Sequence, residues 1–176
     1  EFLKGAAYDV VLADYLLGSV DFFAPYFQVG LLKRLARLTR PGGLLVLLGR
    51  EPEELEVKDE TSQLAVDIQC FRDAVILLGR QHPYREMPRL WVAEQLWQEG
   101  LKLEQGRRFQ RFLNLDKVER NLVWAEEELE RVPEQSLRDD LRRHLARLRK
   151  RAAASVPLRD GHAFGEDYAL ILRRPD

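Results

Sequence analysis

The first apolar run of the chain, Tyr8-Asp9-Val10-Val11-Leu12-Ala13-Asp14, is short, rich in β-branched residues and without strict alternation. That pattern predicts a strand over residues 8–14 that is buried on both faces, as in parallel sheets. From Asp21 the period changes. Phe23, Phe27, Leu31, Leu35 and Leu38 recur at three and four, the stripe of a helix packed on a sheet. Ser19 or Asp21 is its expected cap, and Lys33, Arg34, Arg37 and Arg40 gather toward its C-terminal end, where the helix dipole favours cations. Arg40-Pro41-Gly42-Gly43 is expected to stop the helix and reverse the chain, and the apolar run at 44–49 is a second strand. Strand, helix, turn and strand form a βαβ unit, so the two strands are expected to be parallel with a right-handed crossover.

Beyond a polar loop, Leu64, Ile68, Phe71, Val75 and Leu78 give the buried face of a helix over residues 60–79. A loop bounded by two prolines, Pro83 and Pro88, leads to a helix from about Pro88 to Glu99, which Gly100 ends. "LKLEQGRRFQRF" then alternates as a strand, and "GEDYALILRRP" closes the chain as another. Residues 116–151 differ from the rest. Val118, Leu122, Ala125, Leu129 and Val132 repeat at four and three, and Leu137, Leu141, Leu145 and Leu148 do the same after Pro133. The other positions are densely charged with both signs, which predicts a hairpin of two amphipathic helices.

The 176 residues, 45% of them apolar, suit one domain with an ordinary core over 1–176, the helical hairpin of 116–151 lying within it. With 28 basic and 29 acidic residues the net charge is -1, which gives no electrostatic case for a nucleic-acid partner. No apolar run approaches the roughly 20 residues of a membrane span. The single cysteine, Cys70, cannot form an internal disulfide, in keeping with a reducing, cytoplasmic setting. The only methionine is Met87, so the chain is expected to be part of a longer one. His82, His144 and His162 are far apart and there is no second cysteine, so no metal site is expected. Neither a Gly-x-Ser-x-Gly elbow nor a Walker phosphate loop is present.

The order of elements carries a resemblance. "YDVVLADYLLGSV", a helix, "RLARLTRPGGLLVLLGREP", a helix, "WVAEQLWQEGLKLEQGRRF" and "FGEDYALILRR" together resemble the second half of a class I S-adenosylmethionine-dependent methyltransferase. The fold this implies is α/β: strands four to seven of a doubly wound, Rossmann-like sheet, the last strand returning antiparallel between the two before it, with the helical hairpin inserted. The family's glycine-rich loop and the acidic end of its second strand have no counterpart in these residues. In such sheets the ligand sits at the C-terminal strand ends where strand order reverses. The resemblance therefore implies one wall of a crevice for S-adenosyl-L-methionine and methyl transfer to a small-molecule acceptor. Whether this chain alone is an enzyme is left open. The alternative is a non-catalytic interaction module, with a homodimer formed through the helical hairpin.

The resemblance places Ala13, Asp14, Tyr15 and Leu16 along the cofactor. From the residues alone, Asp14 serves equally as a strand-end cap and Tyr15 as a packing residue. Arg50 and Glu51 follow the second strand and are expected to meet substrate; an exposed loop carboxylate is the other reading of Glu51. In the loop "HPYRE", Tyr84 and Arg85 are candidate substrate ligands because ionisable, hydrogen-bonding loops orient substrates, and a solvated connector is an equally consistent reading. His82 reads as a surface residue, and Arg72-Asp73 as a structural ion pair or a substrate clamp. No catalytic base is assigned.

Overall fold

The computed structural model describes residue 5, residues 7–159 and residues 161–176. By its internal contacts the chain divides into two compact units, Glu1–Pro52 with Tyr84–Phe109 and Glu166–Asp176, and Glu53–Pro83 with Gln110–Gly165.

The first unit is built on strands β1 (Tyr8–Asp14) and β2 (Thr39–Arg50), with helices α1 (Leu16–Phe23) and α2 (Gln28–Leu38) between them. β1 and β2 pair in parallel, as the βαβ pattern predicts. The sheet continues through two later strands, β3 (Lys102–Leu113) and β4 (His162–Arg173), in the order β1-β2-β4-β3. β4 runs antiparallel to β2, from Leu44 opposite Arg173 to Arg50 opposite Asp167, and lies between β2 and β3. That is the place the resemblance implied for the last strand. The helix before β3 (Arg89–Gln98) packs against α2. Its Val92 and Leu96 join Val11, Ala13, Leu32, Leu45, Leu47, Tyr168, Leu170 and Leu172 in one buried cluster.

Three expectations need correction here. β1 is not buried on both faces: Val11 and Ala13 are buried, while Val10 is 59% and Leu12 64% exposed. Only one face of this strand is covered within its unit, and the β-branched composition that signalled a strand carries no information about how many faces are covered. The stripe from Phe23 to Leu38 is not one helix but two. Pro25 cannot continue a helix and disfavours helical backbone at the residue before it, and Ala24 leaves α1 with φ -146° and ψ 81°. Neither expected cap is a cap, since Ser19 and Asp21 both lie inside α1, where the Ser19 hydroxyl donates to the Leu16 carbonyl at 2.9 Å. Finally, the Pro-Gly-Gly segment is part of β2 rather than a turn before it. The pairing advances two residues on β1, from Tyr8 to Val10, while it advances five on β2, from Thr39 to Leu44. Gly42 adopts φ +73° in this irregularity. Gly43 has the Tyr8, Asp9 and Arg40 carbonyls where a side chain would begin, so the backbones approach there as only glycine permits.

The second unit holds helices α3 (Glu60–Leu78), α5 (Leu115–Leu129) and α6 (Gln135–Ser155), the Arg89–Gln98 helix being α4. α3 begins at Asp59, whose carboxylate accepts from the Ser62 amide at 2.8 Å, and α5 at Asn114, which accepts from the Lys117 amide at 3.1 Å. Leu64, Ile68, Phe71 and Val75 of α3 meet Val118, Leu122, Ala125 and Leu129 of α5 and Leu145, Leu148 and Ala152 of α6 in a common core. Leu78, expected on the buried face, is exposed at the helix end. Leu122, Leu129 and Leu148 are occupied inside this unit.

Candidate active site

The C-terminal ends of the parallel strands gather polar side chains from several elements of the first unit. Ala13, the last buried residue of β1, points into the core, while Asp14, Tyr15 and Leu16 are exposed. Tyr15 is the hinge between β1 and α1. Its backbone is left-handed, φ 46° and ψ 26°, a conformation that costs a residue with a Cβ roughly 1–2 kcal/mol. The Tyr15 amide donates to the Leu48 carbonyl at 3.2 Å, tying the bend to β2. Strain of this kind at a strand end is held by its surroundings and clusters at binding sites.

The Tyr15 phenol bonds the Asp167 carboxylate. Its proton is held more tightly than in an ordinary tyrosine, first because of burial and then because of the bond and charge of Asp167, with Arg50 partly offsetting them. Arg50 faces the same carboxylate, its Nε 3.7 Å from Asp167 Oδ1. The Arg50 Nε is buried without a hydrogen-bond partner in the structure. Asp167 comes from β4, opposite Arg50 in the pairing register, which is why these groups meet.

Glu51 is not a solvated loop carboxylate. One oxygen lies 3.0 Å from Arg89 Nε and the other accepts from the Arg89 amide at 3.2 Å. Arg89 is the first residue of α4, so Glu51 places negative charge at a helix N-terminus, where the dipole favours it.

The loop carrying Tyr84 and Arg85 docks on α1. The Arg85 amide donates to the Gly18 carbonyl at 3.0 Å, and Arg85 Nε donates to Asp21 Oδ2 at 3.3 Å. The Glu86 carboxylate lies over Gly18, in the space where a side chain there would begin. Tyr84 stands edge-on to Phe22 with ring centroids 5.8 Å apart. Asp21 is only 2% exposed. Its Oδ1 accepts from Gln28 Nε2 at 2.7 Å and from the Tyr26 amide at 3.0 Å. Burial works to raise its pKa, but those two bonds and Arg85 outweigh burial and hold it below the ordinary carboxylate value. Behind the loop, the Tyr168 hydroxyl donates to the Met87 carbonyl at 3.0 Å.

The structure thus brings Asp14, Tyr15 and Arg50 to the strand ends and fixes Tyr84 and Arg85 on α1. Sequence reasoning missed Asp167, Asp21 and Arg89, which hold Tyr15, Arg85 and Glu51. A signal for Asp21 was present: a lone carboxylate inside the apolar "SVDFF" is costly unless partnered. Arg72 lies outside this site. It is nearly buried in the second unit, 3.3 Å from Asp73, 2.9 Å from Asn121 Oδ1 and over the Trp124 ring, the contacts of a structural ion pair. Among the described residues no group of His, Cys, Asp and Glu is placed to hold a metal, and no helix is long and apolar enough to cross a membrane.

No protein-family model matches the chain, nor does any curated protein. Solved structures do match. One is a candidate methyltransferase from Bacillus halodurans C-125, 13% identical, covering 97% of this chain and 66% of its own length at a TM-score of 0.55. Another is the YcgJ protein from Bacillus subtilis, also 13% identical, covering 97% of this chain and 65% of its own at a TM-score of 0.51. The chain therefore spans about two thirds of the length of these structures. At this identity the likeness is one of fold: an α/β arrangement of helices on a mixed sheet, shared with methyltransferase-like structures.

Proposed function

We propose that this chain is the C-terminal portion of a class I S-adenosylmethionine-dependent methyltransferase, acting in the cytoplasm on a small-molecule acceptor. The observation that supports it best is the sheet, with order β1-β2-β4-β3 and β4 antiparallel, on a fold like that of a candidate methyltransferase. The polar cluster lies at the C-terminal ends of the parallel strands, where ligands of open α/β sheets bind.

S-adenosyl-L-methionine brings a methyl group already activated on a cationic sulfonium, so the protein's task is chiefly positioning and electrostatics. The residues present fit one side of such a ligand. Asp14 and the strained Tyr15 face outward at the end of β1, with Asp167 and Arg50 beside the Tyr15 phenol. In this reading Asp14, Tyr15 and Leu16 line the cofactor, with Ala13 supporting them from the core. Arg50, Tyr84 and Arg85 orient the acceptor, and Glu51 acts by fixing Arg89 and α4. Asp167 holds the Tyr15 phenol and Arg50 in place.

The test is calorimetry with S-adenosyl-L-methionine on this chain and on one extended by whatever its gene encodes before Glu1. Binding by the extended chain, lost with Asp14→Ala, is the expected result. No binding by the extended chain overturns the cofactor assignment and leaves the second reading, a non-catalytic interaction module. The exposed Val10 and Leu12 favour that second reading.

A further inference from the structure

β3 ends the sheet, and among the described residues no strand pairs with its outer edge. Residues 102–109 are exposed throughout, including Leu103 and Phe109, each about half accessible. Edge strands normally carry charge that repels other edges. The segment Leu103-Glu104-Gln105-Gly106-Arg107-Arg108-Phe109 has a different property. Laid antiparallel on a second copy of itself with Gly106 opposite Gly106, it sets Glu104 against Arg108 and Leu103 against Phe109. The two-fold axis makes each of these pairs twice. Moving the centre to Gln105 sets Lys102 against Arg108, and moving it to Arg107 sets two Arg107 side chains against each other. Of these three registers only the one centred on Gly106 is complementary, and it pairs the strand along Leu103–Phe109.

The contacts to β4 extend the match. Glu104 pairs with Arg173, and Arg108 with Glu166 at 3.1 Å. Across the proposed junction the row therefore reads Arg173, Glu104, then Arg108 and Glu166 of the second copy, alternating in sign over four strands. Opposite charges and apolar pairs directly across antiparallel strands are the unit of sheet stabilisation.

We propose that two copies of this chain associate through their β3 edges, antiparallel and centred on Gly106, to form one continuous sheet. The contact is isologous, so it closes at two copies and builds no fibre. It is independent of the functional reading above.

The experiment is sedimentation equilibrium of the 176-residue chain and of two variants, Glu104→Arg and Arg108→Glu, alone and mixed in equal amounts. Each variant alone meets like charge at both symmetric positions and should self-associate on the order of tenfold more weakly, or less still. In the mixture every Arg meets a Glu across the junction, so a mixed dimer of near wild-type affinity should return. Should either variant lose the wild-type circular dichroism, the same cross is run with Leu103→Glu and Phe109→Arg, with outcomes read the same way. A wild-type chain still monomeric near about 1 mM overturns the proposal. So do single variants that dimerise like wild type, and a mixture that does not recover.

Discussion

Replacing Asp21 with Asn changes no volume and removes one charge from a side chain only 2% exposed. Asp21 now accepts three bonds, from Gln28 at 2.7 Å, Tyr26 at 3.0 Å and Arg85 at 3.3 Å. An Asn has one acceptor oxygen and turns an N–H toward at least one of those donors. Losing a hydrogen bond to a charged group costs ~1.5–3 kcal/mol. Arg85 is more than half exposed, so its pairing adds less than about 1 kcal/mol. Asn can keep both bonds at Oδ1 and gives up the one at Oδ2 together with the charge that strengthens the other two, so a loss of about 1–2 kcal/mol at pH 7 follows, or roughly 2–8 °C in midpoint for a chain of this size. The pH dependence carries the sharper test. The folded pKa of Asp21 is depressed, so its stabilisation is present above the unfolded value near about 4 and is lost as pH falls through the folded value. The gap between wild type and Asp21→Asn should therefore be widest at neutral pH and narrow below about pH 4. Urea denaturation at neutral pH and near pH 3 measures it. A gap under ~0.5 kcal/mol at pH 7, or one equal at both pH values, would refute the role assigned to the buried carboxylate.

Three further outcomes are expected. Tyr15→Gly should be more stable than Tyr15→Ala by about 1 kcal/mol, since glycine takes φ 46° without strain; equal midpoints in denaturant would remove the strain argument. Leu122→Ala, at a fully buried position between α3 and α6, should cost ~2–5 kcal/mol by chemical denaturation. Gly49→Ala puts a methyl 2.6 Å from Tyr168 Cζ and should cost ~1–3 kcal/mol, a thermal shift that Ala at the open position Gly100 cannot be used to mimic because Gly100 has φ +87°.

The parallel βαβ unit and the helices at α3 and α4 were legible because their apolar spacing reports directly on which face is covered. The break between α1 and α2 was not, because apolar spacing runs on through Pro25 while the backbone does not. Asp14, Tyr15 and Arg50 were legible as strand-end residues. Asp167, the partner of Tyr15 and Arg50, was not, because it meets them only through the antiparallel return of β4, more than 100 residues later. Glu51 shows the same limit from the other side. Its local sequence, "EPEELE", reads as solvated, and only the arrival of α4 gives it Arg89.

The Tyr168 ring lies against Gly49 and its hydroxyl holds the Met87 carbonyl, two residues beyond Arg85. One buried side chain thus spans from the middle of the sheet to the loop bearing the candidate acceptor ligands. In a mutational landscape this makes Gly49 and Tyr168 gatekeepers. Substitutions at Tyr84 and Arg85 would be judged by selection against a background the core sets. Under the proposed function, changes at Tyr84 and Arg85 that alter acceptor preference should be tolerated or rejected according to what stands at these two core positions.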